Sequence, residues 1–302
     1  MVSSLLACLL LWMTAPLLLG VIHRTKAIMA GRTGPPLLQV YSDLAKLIRK
    51  GFVASRTTTW IFVAGPVLGV VAPLFATLLI PVAGRRAVLA FSGDMLLFVA
   101  VFALARFFLA AAAMDTGSAF EGMGAAREVS FAALAEPALI FGMLALTRLS
   151  GSLSLSGMLD LESSGAWRRA SPSVVLIIVS WFIVLLAENA RVPFDDPNTH
   201  LELTMVHEVM VLDHGGPAFG LVVYGVALKL TVFATLLASV LVPVSTGGAA
   251  VRVGLSLAAI LAIGVVVGLV ESSMARLRFL RVPQLLVTAT LLAGFAIVLL
   301  LR

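Results

Sequence analysis

What most constrains this chain is a near-continuous series of apolar runs, each long enough to cross a bilayer. A hydrocarbon core requires about 20 consecutive apolar residues per α-helix. Runs of that kind recur at roughly 2–22, 58–83, 94–114, 128–149, 172–188, 217–243, 250–270 and 283–301. Hydrophobic residues make up 61% of the 302 positions, well above the roughly 45–50% of a soluble domain. Strands of a membrane barrel would alternate apolar and polar residues, whereas these runs are unbroken. The expected fold is therefore all-α: a polytopic membrane protein of about eight transmembrane helices, with residues 1–302 as a single integral-membrane domain. The first run has neither a basic leader nor an A-x-A cleavage site, so it is expected to stay as a helix.

Most of the charge collects in the joins. With the N-terminus placed outside, the inner loops 23–57, 115–127, 189–216 and 271–282 hold twelve Lys and Arg residues and the outer side seven. The positive-inside rule then puts both termini on the periplasmic side of the plasma membrane. The net charge of +6 thus reports orientation, and nucleic acid is not expected as a partner. The lone Cys8 excludes an internal disulfide, and this chain alone cannot supply the four thiolates that usually hold an iron–sulfur cluster. In loop 23–57, Leu37, Tyr41, Leu44 and Ile48 recur at helical spacing, with Gln39, Ser42, Asp43, Lys46, Arg49 and Lys50 mostly opposite. That pattern predicts an amphipathic helix, lying in the headgroup plane or against a partner.

Arg106, Glu136, Glu188 and Lys229 fall inside or at the rim of the apolar runs. A charge at the bilayer centre costs at least about 2.5–3.5 kcal/mol, so these groups are expected to face one another or internal water. Arg106 with Glu136, and Lys229 with Glu188, are candidate pairs, although the sequence alone does not fix the pairing. Glu128 lies eight residues before Glu136, on a broadly shared helix face at another depth. A carboxylate whose cationic partner can move would take up and release a proton, which is how a relay works. A structural ion pair that fixes helix register is the competing role.

The segment 189–216 carries Asp195, Asp196, Glu202, Glu208 and Asp213 against one cation, Arg191, together with His200, His207 and His214. The zinc pattern H-E-x-x-H fails at Val211, so a polar docking surface, its path fixed by Pro193 and Pro197, is expected instead of a metal site. Loop 115–127 contains Asp115, Glu121, Gly122, Gly124 and Arg127. Its Gly-x-Gly lacks both the third glycine and the preceding strand of a dinucleotide site.

Glu188–Asn189–Ala190–Arg191–Val192–Pro193–Phe194–Asp195 resembles the signature of respiratory complex I subunit 1 and its hydrogenase relatives. Gly31–Arg32–Thr33–Gly34–Pro35–Pro36 is similar to that family's first inner loop, and Glu271 with Arg276, Arg278 and Arg281 to its last. The stretches Asp196–Asp213 and Met114–Phe120, continuing to Arg127–Glu128 and Ala135–Glu136–Pro137, resemble the formate hydrogenlyase and hydrogenase-4 membrane subunits. The resemblance implies a subunit without its own catalytic centre or bound cofactor. It would dock a hydrogenase large subunit with its [NiFe] centre and an iron–sulfur small subunit with [4Fe–4S] clusters. It would also couple them to proton or sodium translocation through antiporter-like membrane partners. The resemblance carries over Glu188, Arg191, Asp195, Asp196, Glu202 and Glu208, with Glu128 and Glu136 deeper in. With the intramembrane cations Arg106 and Lys229 added, the expected relay is Glu128, Glu136, Glu188, Glu202, Glu208, Arg106 and Lys229; the expected docking junction is Arg191, Asp195, Asp196, Asp213, Asp115, Glu121, Arg127 and Glu271. A quinone-site subunit of an NADH:quinone oxidoreductase and a free-standing ion transporter are the alternatives.

Overall fold

The structure is a computed structural model that describes residues 2–161, 165–195, 205–242 and 248–301. Eleven α-helices follow in order: α1 (Val2–Met29), α2 (Gln39–Arg49), α3 (Trp60–Leu79), α4 (Asp94–Asp115), α5 (Ala119–Ser150), the short α6 (Leu155–Met158) and α7 (Ala166–Arg169), α8 (Ser171–Glu188), α9 (Gly216–Leu241), α10 (Ala249–Ser273) and α11 (Val282–Leu299). Eight of them, all but α2, α6 and α7, are long and apolar enough to span a membrane. The chain is a multi-pass all-α membrane protein. An even number of spans brings both termini to one end of the bundle (the terminal end); α2 and residues 205–215 lie at the other (the loop end).

Local chemistry sets the boundaries. Proline occupies the first turn of α8, α9 and α11, where its missing N–H costs no intrahelical bond. Thr59 caps α3 by accepting from the Ile61 amide. Gly151, with φ +72°, closes α5 as its amide reaches back to the Thr147 carbonyl. At α8 the same device is built on alanine. Ala190 has φ +47°, its amide bonds to the Ala187 carbonyl, and the Arg191 amide bonds to the Leu186 carbonyl at 2.9 Å. This Schellman turn reverses the chain straight after Glu188.

The most enclosed span is α9, with 72% of its apolar window buried against 28% for α4, α10 and α11. Close approaches hold the neighbours to it and to one another. A Cβ on Gly225 of α9 would meet the Gly69 carbonyl of α3 at 2.6 Å, and one on Gly268 of α10 would meet the Thr25 side chain of α1 at 2.8 Å. Small residues at such crossings are what membrane helices use to pack without a hydrophobic driving force between them.

Two boundaries differ from the sequence expectation. The segment 115–127 is a short turn followed by the first turns of α5, so Glu121, Arg127 and Glu128 stand on a 32-residue helix that extends the expected 128–149 run. Loop 23–57 begins seven residues later than expected, because α1 continues through Met29. Helix α2 is present, but its buried side is centred on Val40 and Leu44, while Ile48 is 67% exposed. The buried stripe thus includes Val40 and leaves out the last member of the expected set.

Candidate functional site: a charged track from the loop end into the bundle

Arg106 on α4 is the hub of the intramembrane charges. One guanidinium nitrogen contacts Glu136 on α5, and the other donates to both carboxylate oxygens of Glu188 at 2.8 and 2.9 Å. Lys229 on α9 reaches the same Glu188 carboxylate at 2.8 Å. Both expected pairs therefore form, and Arg106 joins them into one network of four groups from α4, α5, α8 and α9. The Glu188 side chain is 4% exposed and that of Arg106 10%. In such surroundings an unpartnered charge is costly, and the bidentate fork of arginine suits a carboxylate best.

A cavity of about 60 Å³ abuts this network, lined by Arg106, Lys229, Glu128 and His207 together with Pro66, Gly69 and Pro73 of α3. It has room for a few water molecules and several polar partners to hold them. The two prolines matter because each lacks the N–H that would bond four residues back, which leaves the Phe62 and Gly69 carbonyls without intrahelical donors. His214 Nε2–H satisfies Phe62 at 3.0 Å, and its ring stacks on Phe62 with centroids 4.0 Å apart. Gly69 lines the cavity. Glu128 makes no ion pair among the described residues, although it lies in the fields of Lys229 and Arg106.

Nearer the loop end a second layer follows. Arg191 Nη1 lies 3.4 Å from Glu271, and Lys26 of α1 reaches the other oxygen of Glu271 at 2.8 Å. Arg276 pairs with Asp195 at 3.1 Å. Asp195 also accepts from the backbone amides of Val206 and His207, fixing the chain that carries His207 to the cavity. Burial, with the Lys229 ammonium nearby, pushes the His207 imidazole down to about 4, so at neutral pH it is uncharged. Its Nε2 is buried with no protein partner. Asp195 and His207 thus link the two layers.

The expected docking residues fall into two groups. Arg191, Asp195, Glu121 and Glu271 are buried within the chain itself, at 0–7% exposure. Their side chains lie beneath the surface of the loop end; for Arg191 and Asp195 this follows from the turn after α8, which tucks inward at Ala190. Glu121 accepts from Thr116 Oγ1 at 2.7 Å and from the Asp213 amide at 3.0 Å. Asp115 accepts from the backbone and hydroxyl of Thr59 at 2.6 and 3.0 Å, tying the end of α4 to the start of α3. Arg127 donates to the Met205 carbonyl at 2.9 Å, and with Arg276 it sandwiches the Phe279 ring. Glu208 opens a 3₁₀ turn, Glu208–Val211, so His207 and His214 do not share a regular helix face. Asp196, Glu202 and His200 lie outside the described residues.

Sequence reasoning missed two groups. Lys26 had been read only as an orientation charge, yet it holds Glu271. Asp94, at the start of α4, is wholly buried and accepts from the Leu155 amide at 2.6 Å and from Ser154 Oγ at 2.8 Å. Nothing in its local sequence singled it out. Only the fold brings residues 154 and 155 to it.

The NADH dehydrogenase family profile matches residues 2–302. Formate hydrogenlyase subunit 4 of Escherichia coli is 32% identical over 287 residues, covering 93% of this chain and 92% of that protein. Hydrogenase-4 component C of Escherichia coli is 30% identical over 293 residues, covering 92% and 89%. Among solved structures, a chain of the archaeal membrane-bound sulfane sulfur reductase, a respiratory membrane complex, superposes with a TM-score of 0.82 over 99% of this chain and 98% of that one. At 21% identity that likeness speaks for the fold alone. The chain belongs to the NADH dehydrogenase subunit 1 family, close to formate hydrogenlyase subunit 4 and hydrogenase-4 component C.

Proposed function

We propose that this chain is the membrane-anchor and coupling subunit of a formate hydrogenlyase or hydrogenase-4-like complex, oriented with both termini outside. Its loop end would seat a hydrogenase large subunit and an iron–sulfur small subunit, whose [NiFe] centre and [4Fe–4S] clusters carry the redox chemistry. Antiporter-like membrane subunits would move protons or sodium ions. The observation that carries this reading is the network of Arg106, Glu136, Glu188 and Lys229 joined to the cavity of Glu128 and His207. Near-complete mutual coverage with the two hydrogenase-type relatives supports the branch.

Coupling follows from electrostatics. A change of charge in a docked redox partner alters the field at Asp195 and Arg276, the outermost pair of the track. Asp195 holds the His207 backbone, so a shift there moves the imidazole relative to Glu128 and Lys229. Arg106 then redistributes between Glu136 and Glu188, and the carboxylate it leaves binds a proton more readily.

The test uses the purified complex in proteoliposomes. Glu128→Gln is expected to leave assembly and redox turnover intact and to lower ion uptake per turnover by at least about tenfold, as for loss of an essential proton-transfer group. Glu136→Gln should weaken coupling while assembly persists. Normal coupling in Glu128→Gln would overturn the relay. Stoichiometric bound quinone would favour the quinone-site reading, and ion flux by this chain alone would favour a transporter.

A further inference from the structure

A second cavity, of about 420 Å³, lies at the terminal end and shares no lining residue with the charged track. It falls within the size range of ligand sites. Its walls come from the connection after α3, the segment around α6, the end of α9 and the first half of α10. Three guanidinium groups line it: Arg85 and Arg86 from the first of these, and Arg252 from the first turn of α10. Asp160 is the one carboxylate among the described lining residues, so cations outnumber it three to one.

Among the described residues none of the three forms an ion pair or donates a side-chain hydrogen bond, whereas every buried cation of the track meets a carboxylate. The Nε atoms of Arg85 and Arg252 are buried without an acceptor, as are those of Arg106 and Arg191, but here no other guanidinium nitrogen is paired either. Buried donors normally find partners, and guanidinium matches phosphate bidentately. Hydroxyls complete the polar wall, with Ser154 and Ser156 on one side and Ser239 and Ser256 on the other. Further along α10, past Ser256, the lining turns apolar at Ala259 and Ile260. On the same helix, Val251 and Leu255 flank Arg252 and are exposed at 56% and 47%. A phosphate held by the arginines would therefore sit where a lipid-facing apolar stripe begins.

We propose that this cavity binds the phosphodiester headgroup of an anionic phospholipid, with its acyl chains lying along α10. A free phosphate shares the charge chemistry but has no use for the apolar wall and stripe.

The test is native mass spectrometry of the intact, delipidated complex titrated with phosphatidylglycerol or phosphatidylcholine in mixed micelles. Wild type is expected to retain phosphatidylglycerol in preference to phosphatidylcholine. The double variant Arg85→Gln/Arg252→Gln should lose that retention by about tenfold or more. Arg168→Gln/Arg169→Gln, which removes two charges of α7 at the same end but outside the cavity, should retain it. If the double variant fails to assemble, Arg86→Gln, an exposed position, serves in its place and should weaken retention measurably. Equal binding of the two lipids overturns the proposal, as does an equal loss in the α7 variant, which would indicate diffuse surface charge. Complete displacement by millimolar inorganic phosphate would assign the site to the free anion and also overturn the lipid assignment.

Discussion

The bundle handles charge in two opposite ways. Along the track, Arg106, Lys229, Arg191, Lys26 and Arg276 each meet a carboxylate within 3.4 Å, and the carboxylates come from different helices. At the terminal end, Arg85, Arg86 and Arg252 surround a cavity with no such partner among the described residues. The difference is one of solvent. Where side chains are enclosed by helices, in the bundle and beneath the loop end alike, bulk water and headgroups are excluded, so each cation is neutralised by the chain. In an open cavity at the membrane rim an external anion can do the same work. Pairing therefore reads as enclosure, and a basic cluster left unpaired marks a place where something else binds.

Removing Glu188 tests this contrast most severely. Glu188→Ala leaves Arg106 with Glu136 and takes from Lys229 its ion-pair partner, with only the field of Glu128 remaining, and loss of one member of a buried pair costs about 3–5 kcal/mol. Thermal unfolding in detergent should fall sharply, and Lys229→Met in the same background should restore part of the loss. A fully stable Glu188→Ala would mean that internal water already neutralises the site, which would break the comparison. A smaller effect is expected for Arg191→Ala, because Glu271 keeps Lys26. A loss of about 1–3 kcal/mol is expected for a hydrogen bond to a charged group, read as a lower melting temperature and weaker retention of the hydrophilic partners.

Smaller again is a pH effect at the link between the layers. His207 is held below its ordinary value of 6.5, at about 4. The unfolded state therefore binds the extra proton first as pH falls, so stability is full above about 6.5 and is lost progressively down to about 4. Hydrogen exchange of residues 205–214 should quicken across that window and His207→Gln should flatten the response; a flat wild-type profile would detach the imidazole from the track. The smallest effect belongs to the other region. Arg86→Gln in lipid-free detergent should change stability by no more than about 0.5 kcal/mol, and a larger loss would show that the terminal arginines are structural after all.

Much of the fold was legible because bilayer physics writes directly into sequence. The length of each apolar run and the gathering of most charge in the joins set the number of spans, and the amphipathic spacing of Leu37, Tyr41 and Leu44 located α2. The site was half legible. Arg106, Glu136, Glu188 and Lys229 stood out because each is expensive in an apolar run, and their mutual pairing followed from the same cost. What did not show was that Arg106 touches two carboxylates at once, that Lys26 belongs to Glu271, or that Asp195 holds the His207 backbone. Those contacts join residues 11 to 245 positions apart, and no local pattern encodes them. Nor did spacing show that Arg191 and Asp195 are buried, since that depends on the chain turning inward at Ala190.

The sequence by itself determined that this chain is a bundle of about eight membrane helices with a few internal charges in need of partners, because hydration cost depends on residue type alone. Only the tertiary structure decided which charges meet, where a cavity is left between α3, α4, α5 and α9, and which arginines remain without a carboxylate. Those outcomes depend on distances between helices, set by close packing at positions such as Gly225 and Gly268 that carry no charge at all.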